Sequence, residues 1–210
     1  EALQGAGITS VAIVTGYKRE LVKKYNLTEF FNHRWAETNM VSSLACAEKW
    51  LNEQTCIVSY SDIIYLSTAV ESLKRCQAPL ALTYDPNWLK LWQRRFKDPL
   101  IDAETFRLTQ KHEVVEIGGK PTTTDEIEGQ YMGLLSITPR GWQEIKRIRD
   151  QLISETRDTI HMTGILQKVI DAKRVKIEAV KNRDFWGEID TPSDLEALGY
   201  PNGNNMHDIV

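Results

Sequence analysis

Apolar residues recur along the chain with two different periods, and their alternation sets out an α/β order. Residues 1–7 read as the end of a helix closing at glycine. The β-branched run Val11-Ala12-Ile13-Val14-Thr15 behind them has the character of a buried strand. Residues 18–25 have helical composition, and Val41, Leu44, Ala45, Ala47, Trp50 and Leu51 repeat at helical spacing, which predicts a helix over 40–51 before a strand over 56–60. Further along, 67–76 predicts a helix capped by Ser67 or Thr68, 79–84 a strand, and 131–138 another. A helix opened by Pro139 runs over 139–153, a second over 164–172, a strand over 175–180, and a last helix opened by Pro192 over 192–199. Two short strands, 106–108 and 114–117, surround polar turns closed by Gly118-Gly119-Lys120-Pro121 and form a small β-excursion. The sum predicts a three-layer α/β/α sandwich, Rossmann-like, with a mostly parallel central sheet. No repeat, low-complexity tract or linker interrupts it, so residues 1–200 read as one domain and 201–210 as a flexible tail.

Composition narrows the function without naming it. With 210 residues, 41% of them hydrophobic and 26% charged, the chain carries enough apolar surface for a well-packed soluble domain. Lys and Arg total 26 against 29 Asp and Glu, a net charge of −3 with no block of like sign, which argues against a nucleic-acid partner. An anionic substrate must therefore be held by local devices. Cys46, Cys56 and Cys76 are an odd number without metal-ligand spacing and read as reduced thiols, which points to the cytoplasm. No apolar run reaches the ~20 residues of a membrane span. Glu1-Ala2-Leu3-Gln4 is neither a basic leader nor an initiator methionine, and the opening reads as that of a cut chain. The pattern leaves an oligomer open.

Two places combine acids with strand ends. Asp62 follows the strand over 56–60 and precedes Ile63-Ile64, the position where open α/β sheets bind ligands, although a turn or cap aspartate reads the same way. In Phe185-Trp186-Gly187-Glu188-Ile189-Asp190-Thr191-Pro192 the alternation sets Glu188 and Asp190 on one face of an extended segment. Three oxygen-donor acids suit magnesium, which takes a few carboxylates together with substrate phosphate oxygens. The plainer alternative has Asp190 or Thr191 capping the helix at Pro192. Substrate-side candidates are Asn39 and Ser42 at a helix start, and Trp88, Trp92 and Tyr131 as an aromatic wall for an alkylammonium head. Core packing of the two tryptophans at i and i+4 is the competing reading. Arg94, Arg95 and Lys97 form a basic knot best read as a solvated helix face, and Asp102 and Glu104 either recognise an amine, bracket a metal or flank a turn.

A strand ending in Asp62, then Gly129-Gln130-Tyr131-Met132-Gly133-Leu134, then Trp-Gly-Glu-Ile-Asp-Thr-Pro-Ser-Asp-Leu from Trp186 resembles, in order and spacing, the sugar-phosphate and phosphocholine nucleotidyltransferases. Thr38-Asn39-Met40-Val41-Ser42-Ser43-Leu44 is similar to the choline-phosphate and 2-aminoethylphosphonate cytidylyltransferase branch. The resemblance implies Asp62 and Asp190 as Mg²⁺ ligands, with Glu188 supporting the cation directly or through water. It implies transfer of a nucleoside monophosphate, from CTP in that branch, to a small phosphate or phosphonate acceptor. A sugar 1-phosphate acceptor and a non-catalytic nucleotide-binding module are the other readings. Gln130 stands where many sugar-nucleotide relatives have Glu, and His161 where the family often has Asp before Met-Thr. Nothing here matches the glycine-rich loop with Arg and a Pro-Lys pair that opens the family, so the chain as it stands is expected to be catalytically poor.

Overall fold

The computed structural model describes residues 1–199. Residues 201–210, read above as a tail, lie outside that range. In chain order the elements are α1 (Ala2–Gly5), β1 (Ala12–Thr15), β2 (Thr28–Phe31), α2 (Met40–Ala45), α3 (Glu48–Glu53), β3 (Cys56–Ser59), β4 (Ile63–Tyr65) and α4 (Ser67–Arg75). They continue as β5 (Leu80–Asp85), α5 (Trp88–Arg95), β6 (Phe106–Leu108), β7 (Val114–Ile117), β8 (Gln130–Ile137) and α6 (Pro139–Gln151). The series ends with α7 (Ser154–Thr159), α8 (Met162–Ala172), β9 (Ile177–Lys181), β10 (Trp186–Glu188) and α9 (Pro192–Ala197).

The main sheet has the order β3-β8-β5-β9. β5 pairs with β9 in parallel and β8 lies antiparallel to both β3 and β5, so β3, β5 and β9 run one way with β8 set against them. The alternation of side chains across this sheet builds the layers. Leu80, Leu82 and Leu135 face Trp142 and Ile145 of α6 and Ile165 and Leu166 of α8. Ala81 and Leu134, one residue out of phase, face Val70 and Leu73 of α4. Helices thus cover both faces, as expected for the three-layer α/β fold. The hairpin of β6 and β7 is the small β-excursion.

Three expectations need correction. Residues 18–25 form two short 3₁₀ turns between Lys18 and Asn26, both left-handed, because neither end has a cap that would carry a longer helix. The helix expected over 40–51 is broken at Cys46 and Ala47 into α2 and α3. The strands β2, β4 and β10 go unannounced in the pattern, each being four residues or fewer.

β1 and β2 pair in parallel as a separate ribbon, and among the described residues no ladder joins it to the main sheet. Between β1 and β3 runs a largely apolar trench of about 830 Å³, bordered by Ile13, Leu44, Ile57, Val58 and Leu73 and reaching Asp62 at one end. No helix among the described residues is long and apolar enough to cross a membrane. All three cysteines are unpaired and half-buried.

Candidate active site

Residues 62 and 188–190 meet through backbone pairing. β4 and β10 form an antiparallel ribbon with Glu188 opposite Ile63, and the next rung is the bond from the Ile189 amide to the Asp62 carbonyl, 2.8 Å. This ladder places the Asp62 turn beside the acids on a chain segment more than a hundred residues away. The turn after β10 is then locked by Asp194. Its Oδ2 accepts from the amides of Asp190 (3.0 Å) and Thr191 (2.8 Å) and from the Thr191 hydroxyl (2.9 Å). Thr191 and Asp194 together make the capping box of α9. Capping therefore falls to Thr191, and the Asp190 carboxylate projects to the surface, 48% exposed.

Arg95 organises these acids. Its side chain is 0% exposed, with Nη1 on Glu188 (2.9 Å), Nη2 on Asp190 (2.8 Å) and Nε on Asp194 (2.9 Å). Burial works against the guanidinium charge, but hydrogen bonds to Asp194 and Glu188 more than offset it and hold the group firmly protonated. The same burial pushes the Glu188 carboxyl above its ordinary range; Arg95 pulls the other way, while nearby Asp190 and Asp62 add to the rise. The solvated basic face expected over Arg94 to Lys97 is thus correct only in part. Arg94 and Lys97 are exposed, whereas Arg95 turns inward against the rings of Trp92 and Phe96. The sequence missed Arg95 and Asp194 because their partners lie about a hundred residues away along the chain or inside a turn.

A cluster of three metal-binding acids is not formed. Among the described residues no three His, Cys, Asp or Glu side chains converge as a metal site, because Glu188 is drawn into the Arg95 clamp. Asp62 is exposed and its carboxylate takes no hydrogen bond among the described residues, and Asp190 keeps much of its surface. Two carboxylates facing solvent are compatible with magnesium, which retains several waters and substrate oxygens.

The aromatic wall expected from Trp88 and Trp92 is overturned. They are 4% and 3% exposed, packed with Met132 and Trp186, and their indole N–H groups donate to the Ile127 carbonyl (3.3 Å) and to Asp102 (3.1 Å). Gln130 is buried and closes its amide on the backbone of Glu104, donating to the carbonyl at 2.7 Å and accepting from the amide at 3.4 Å. It braces the Glu104 loop. Ser42 is likewise buried, bonded to the Arg157 carbonyl and to Arg149. Asn39 caps α2, and its carboxamide bridges the Met40 amide (2.7 Å), the Thr159 carbonyl (3.3 Å) and the exposed His161 ring.

Tyr131 packs in company the sequence did not foresee. Its ring meets that of Tyr60 edge-on, centroids 5.8 Å apart. Tyr60, two residues before Asp62, rests on Gly133, whose φ of +77° and lack of a side chain make room for the ring. A β-carbon at position 133 would lie 2.8 Å from ring atoms of Tyr60. Gly133→Ala is therefore expected to destabilise the protein by about 1–3 kcal/mol, read from a urea melt; an unchanged midpoint would show that the ring relaxes freely.

Comparisons with known proteins place the chain in a family. The chain is 36% identical over 212 aligned positions to the CTP:phosphoglutamine cytidylyltransferase of Campylobacter jejuni, covering 93% of this chain and 83% of that relative. Its fold is similar to that of the inositol-1-phosphate CTP transferase from T. maritima, with a TM-score of 0.72 at 16% identity over 97% of this chain and 81% of that one. A putative glucose-1-phosphate thymidylyltransferase from Bacillus anthracis gives 0.68 at 14% identity, over 94% and 77% of the two chains. No family model matches the sequence. With identity of this level running through nearly all of its length, the chain belongs to the family of that CTP:phosphoglutamine cytidylyltransferase, a family of nucleotidyltransferases.

Proposed function

We propose that the protein transfers a cytidylyl group from CTP to a small acceptor bearing a phosphate or phosphonate and an amine, releasing pyrophosphate. The observation that carries this reading is the near-full-length likeness to a relative named for CTP and phosphoglutamine. That relative's name suggests phosphoglutamine as acceptor, and the resemblance of residues 38–44 suggests phosphocholine and 2-aminoethylphosphonate.

An acceptor phosphate or phosphonate oxygen is already anionic near neutral pH. It attacks the α-phosphorus of CTP in line, a new P–O bond forms, and the bond to the pyrophosphate oxygen breaks, so no general base is needed. The protein's task is to position two anions and offset their repulsion. Asp62 and Asp190 would hold Mg²⁺, which when bound supplies positive charge to the phosphate oxygens. Glu188 acts behind them through Arg95, which fixes where Asp190 points. Asp194 holds the backbone of the same turn, so the spacing of the two acids is set before substrate arrives.

The test is pyrophosphate release by the full-length protein with magnesium, crossing the common nucleoside triphosphates with phosphocholine, 2-aminoethylphosphonate, phosphoglutamine and a panel of sugar 1-phosphates. Release with CTP and an amine-bearing acceptor is expected. Release confined to sugar 1-phosphates, or silence throughout, would overturn the reading.

A further inference from the structure

The trench between β1 and β3 is bordered on one side by Ala12, Ile13 and Val14 and on the other by every residue of β3. Neighbouring residues of a strand point to opposite faces, so a space that touches consecutive residues runs along the strand's edge and not over one face. Both edges are free: among the described residues β1 pairs only with β2, and β3 only with β8. Each wall therefore presents a row of backbone N–H and C=O groups without a ladder partner. The two walls run the same way. At the start, Lys74 of α4 donates to the Ala6 carbonyl ahead of β1, and the chain after α4 meets the start of β3, where Cys56 stands opposite Ile137 and the Thr138 amide bonds the Pro79 carbonyl at 3.1 Å. At the finish both approach α2. Asn32, whose amide bonds the Thr15 carbonyl, donates to Ser43 at 3.0 Å, and the Tyr60 hydroxyl reaches the Met40 sulfur at 2.9 Å. Helices close the space above and below, with Leu73 of α4 on the side of Ile57, and Leu44 of α2 and Leu51 of α3 on the side of Val58. At about 830 Å³ the space is far larger than a packing gap in a close-packed interior.

We infer that the trench is a strand slot. It receives an extended polypeptide segment of about four apolar, β-branched residues, the length of β1 and of β3, laid parallel between them so that ribbon and main sheet become one. An acyl chain or a small apolar ligand would cover the walls and leave both rows of backbone groups unpaired, whereas a peptide backbone satisfies the two rows at once. With helices on both faces, the segment must be apolar at every position, the character of parallel strands inside α/β layers. Every strand among the described residues already belongs to a ladder, so the segment is a further one. The trench reaches Asp62, and one end of the segment therefore lies beside a carboxylate of the proposed transfer site.

The experiment appends to the amino end of the full chain a Val-Ile-Val-Ile strand followed by a flexible Gly-Ser linker of about a dozen residues, the least a parallel crossover needs. A control fusion carries Pro at the two central strand positions, which keeps the segment apolar and removes ladder donors. Amide exchange is followed by mass spectrometry on the chain and both fusions, alongside size-exclusion chromatography. In the unmodified chain the amides of β1 and β3 should exchange faster than those of β5. In the Val-Ile fusion they should slow about tenfold or more, and in the Pro control they should not. No slowing in the Val-Ile fusion would overturn the assignment, and so would equal slowing in the Pro control, which would show that the space takes apolar groups without a ladder. Amides of β1 and β3 already as slow as those of β5 in the unmodified chain would overturn it too, since the edges would then be paired, by a second copy where the chain runs as a dimer. None of these readouts depends on turnover from CTP, so the slot stands or falls apart from the transfer reading.

Discussion

Arg95→Met is expected to lower the unfolding free energy by about 3–5 kcal/mol, because it removes the one cation that three carboxylates share. Methionine keeps the length of the chain and its contact with the Trp92 and Phe96 rings, so the loss isolates the charge. The reason for so large an effect lies in Asp194, whose side chain is nearly sealed from solvent and which would be left buried with no partner cation. Burial opposes its charge, yet Arg95 and the Thr191 bonds more than offset this and hold its carboxyl below the usual aspartate range. A group depressed in the folded state contributes stability above the unfolded pKa, near 4, and loses it as the pH falls through the folded value. The difference between wild type and variant should accordingly shrink below about pH 4. Urea melts at pH 7 and pH 3.5 check both statements, and a loss under 1 kcal/mol at pH 7 would show that the clamp does not couple to folding.

Asp62→Asn makes the opposite demand on the molecule. Its carboxylate is exposed and has no ion pair among the described residues, so stability should change by less than about 0.5 kcal/mol. Turnover should fall about a thousandfold, the equivalent of roughly 4 kcal/mol of charge stabilisation at the transferring phosphate. Asp190→Asn should lose comparable activity and also some stability, since it gives up a bond to Arg95 at 2.8 Å. Magnesium titrations of the rate will separate a weakened metal site from a slower chemical step. Full activity in the Asp62 variant would remove it from the site.

What could be read from the chain was whatever repeats. The apolar strand over 79–84, the strand over 131–138 and the helix opened by Pro139 are long enough to be heard over noise, and they form the core. The acids Asp62 and Asp190 stood out because each sits at a strand end with apolar neighbours. The ladder that joins them did not, since β4 and β10 have three residues each and no period to count. The direction of Arg95 was equally hidden. A basic residue in the last turn of an amphipathic helix reads as solvated, and only the acids of the turn after β10, packed against that helix, turn it inward. The two tryptophans were misread for a related reason: spacing at i and i+4 names a helix face and does not say what lies opposite it.

The trench between β1 and β3 has a consequence for how the molecule opens. Among the described residues the β1–β2 ribbon shares no ladder with the main sheet; the Arg19–Glu29 pair ties the turn between its strands to β2, and the edge-on contact of Phe30 with Trp50 and the bonds of Asn32 to Thr38 and Ser43 hold it to its neighbours. None of these draws on the core beneath α6 and α8. The ribbon can therefore detach as its own cooperative unit, its amides exchanging with solvent at a free energy below that of global unfolding, while the four-stranded sheet stays closed.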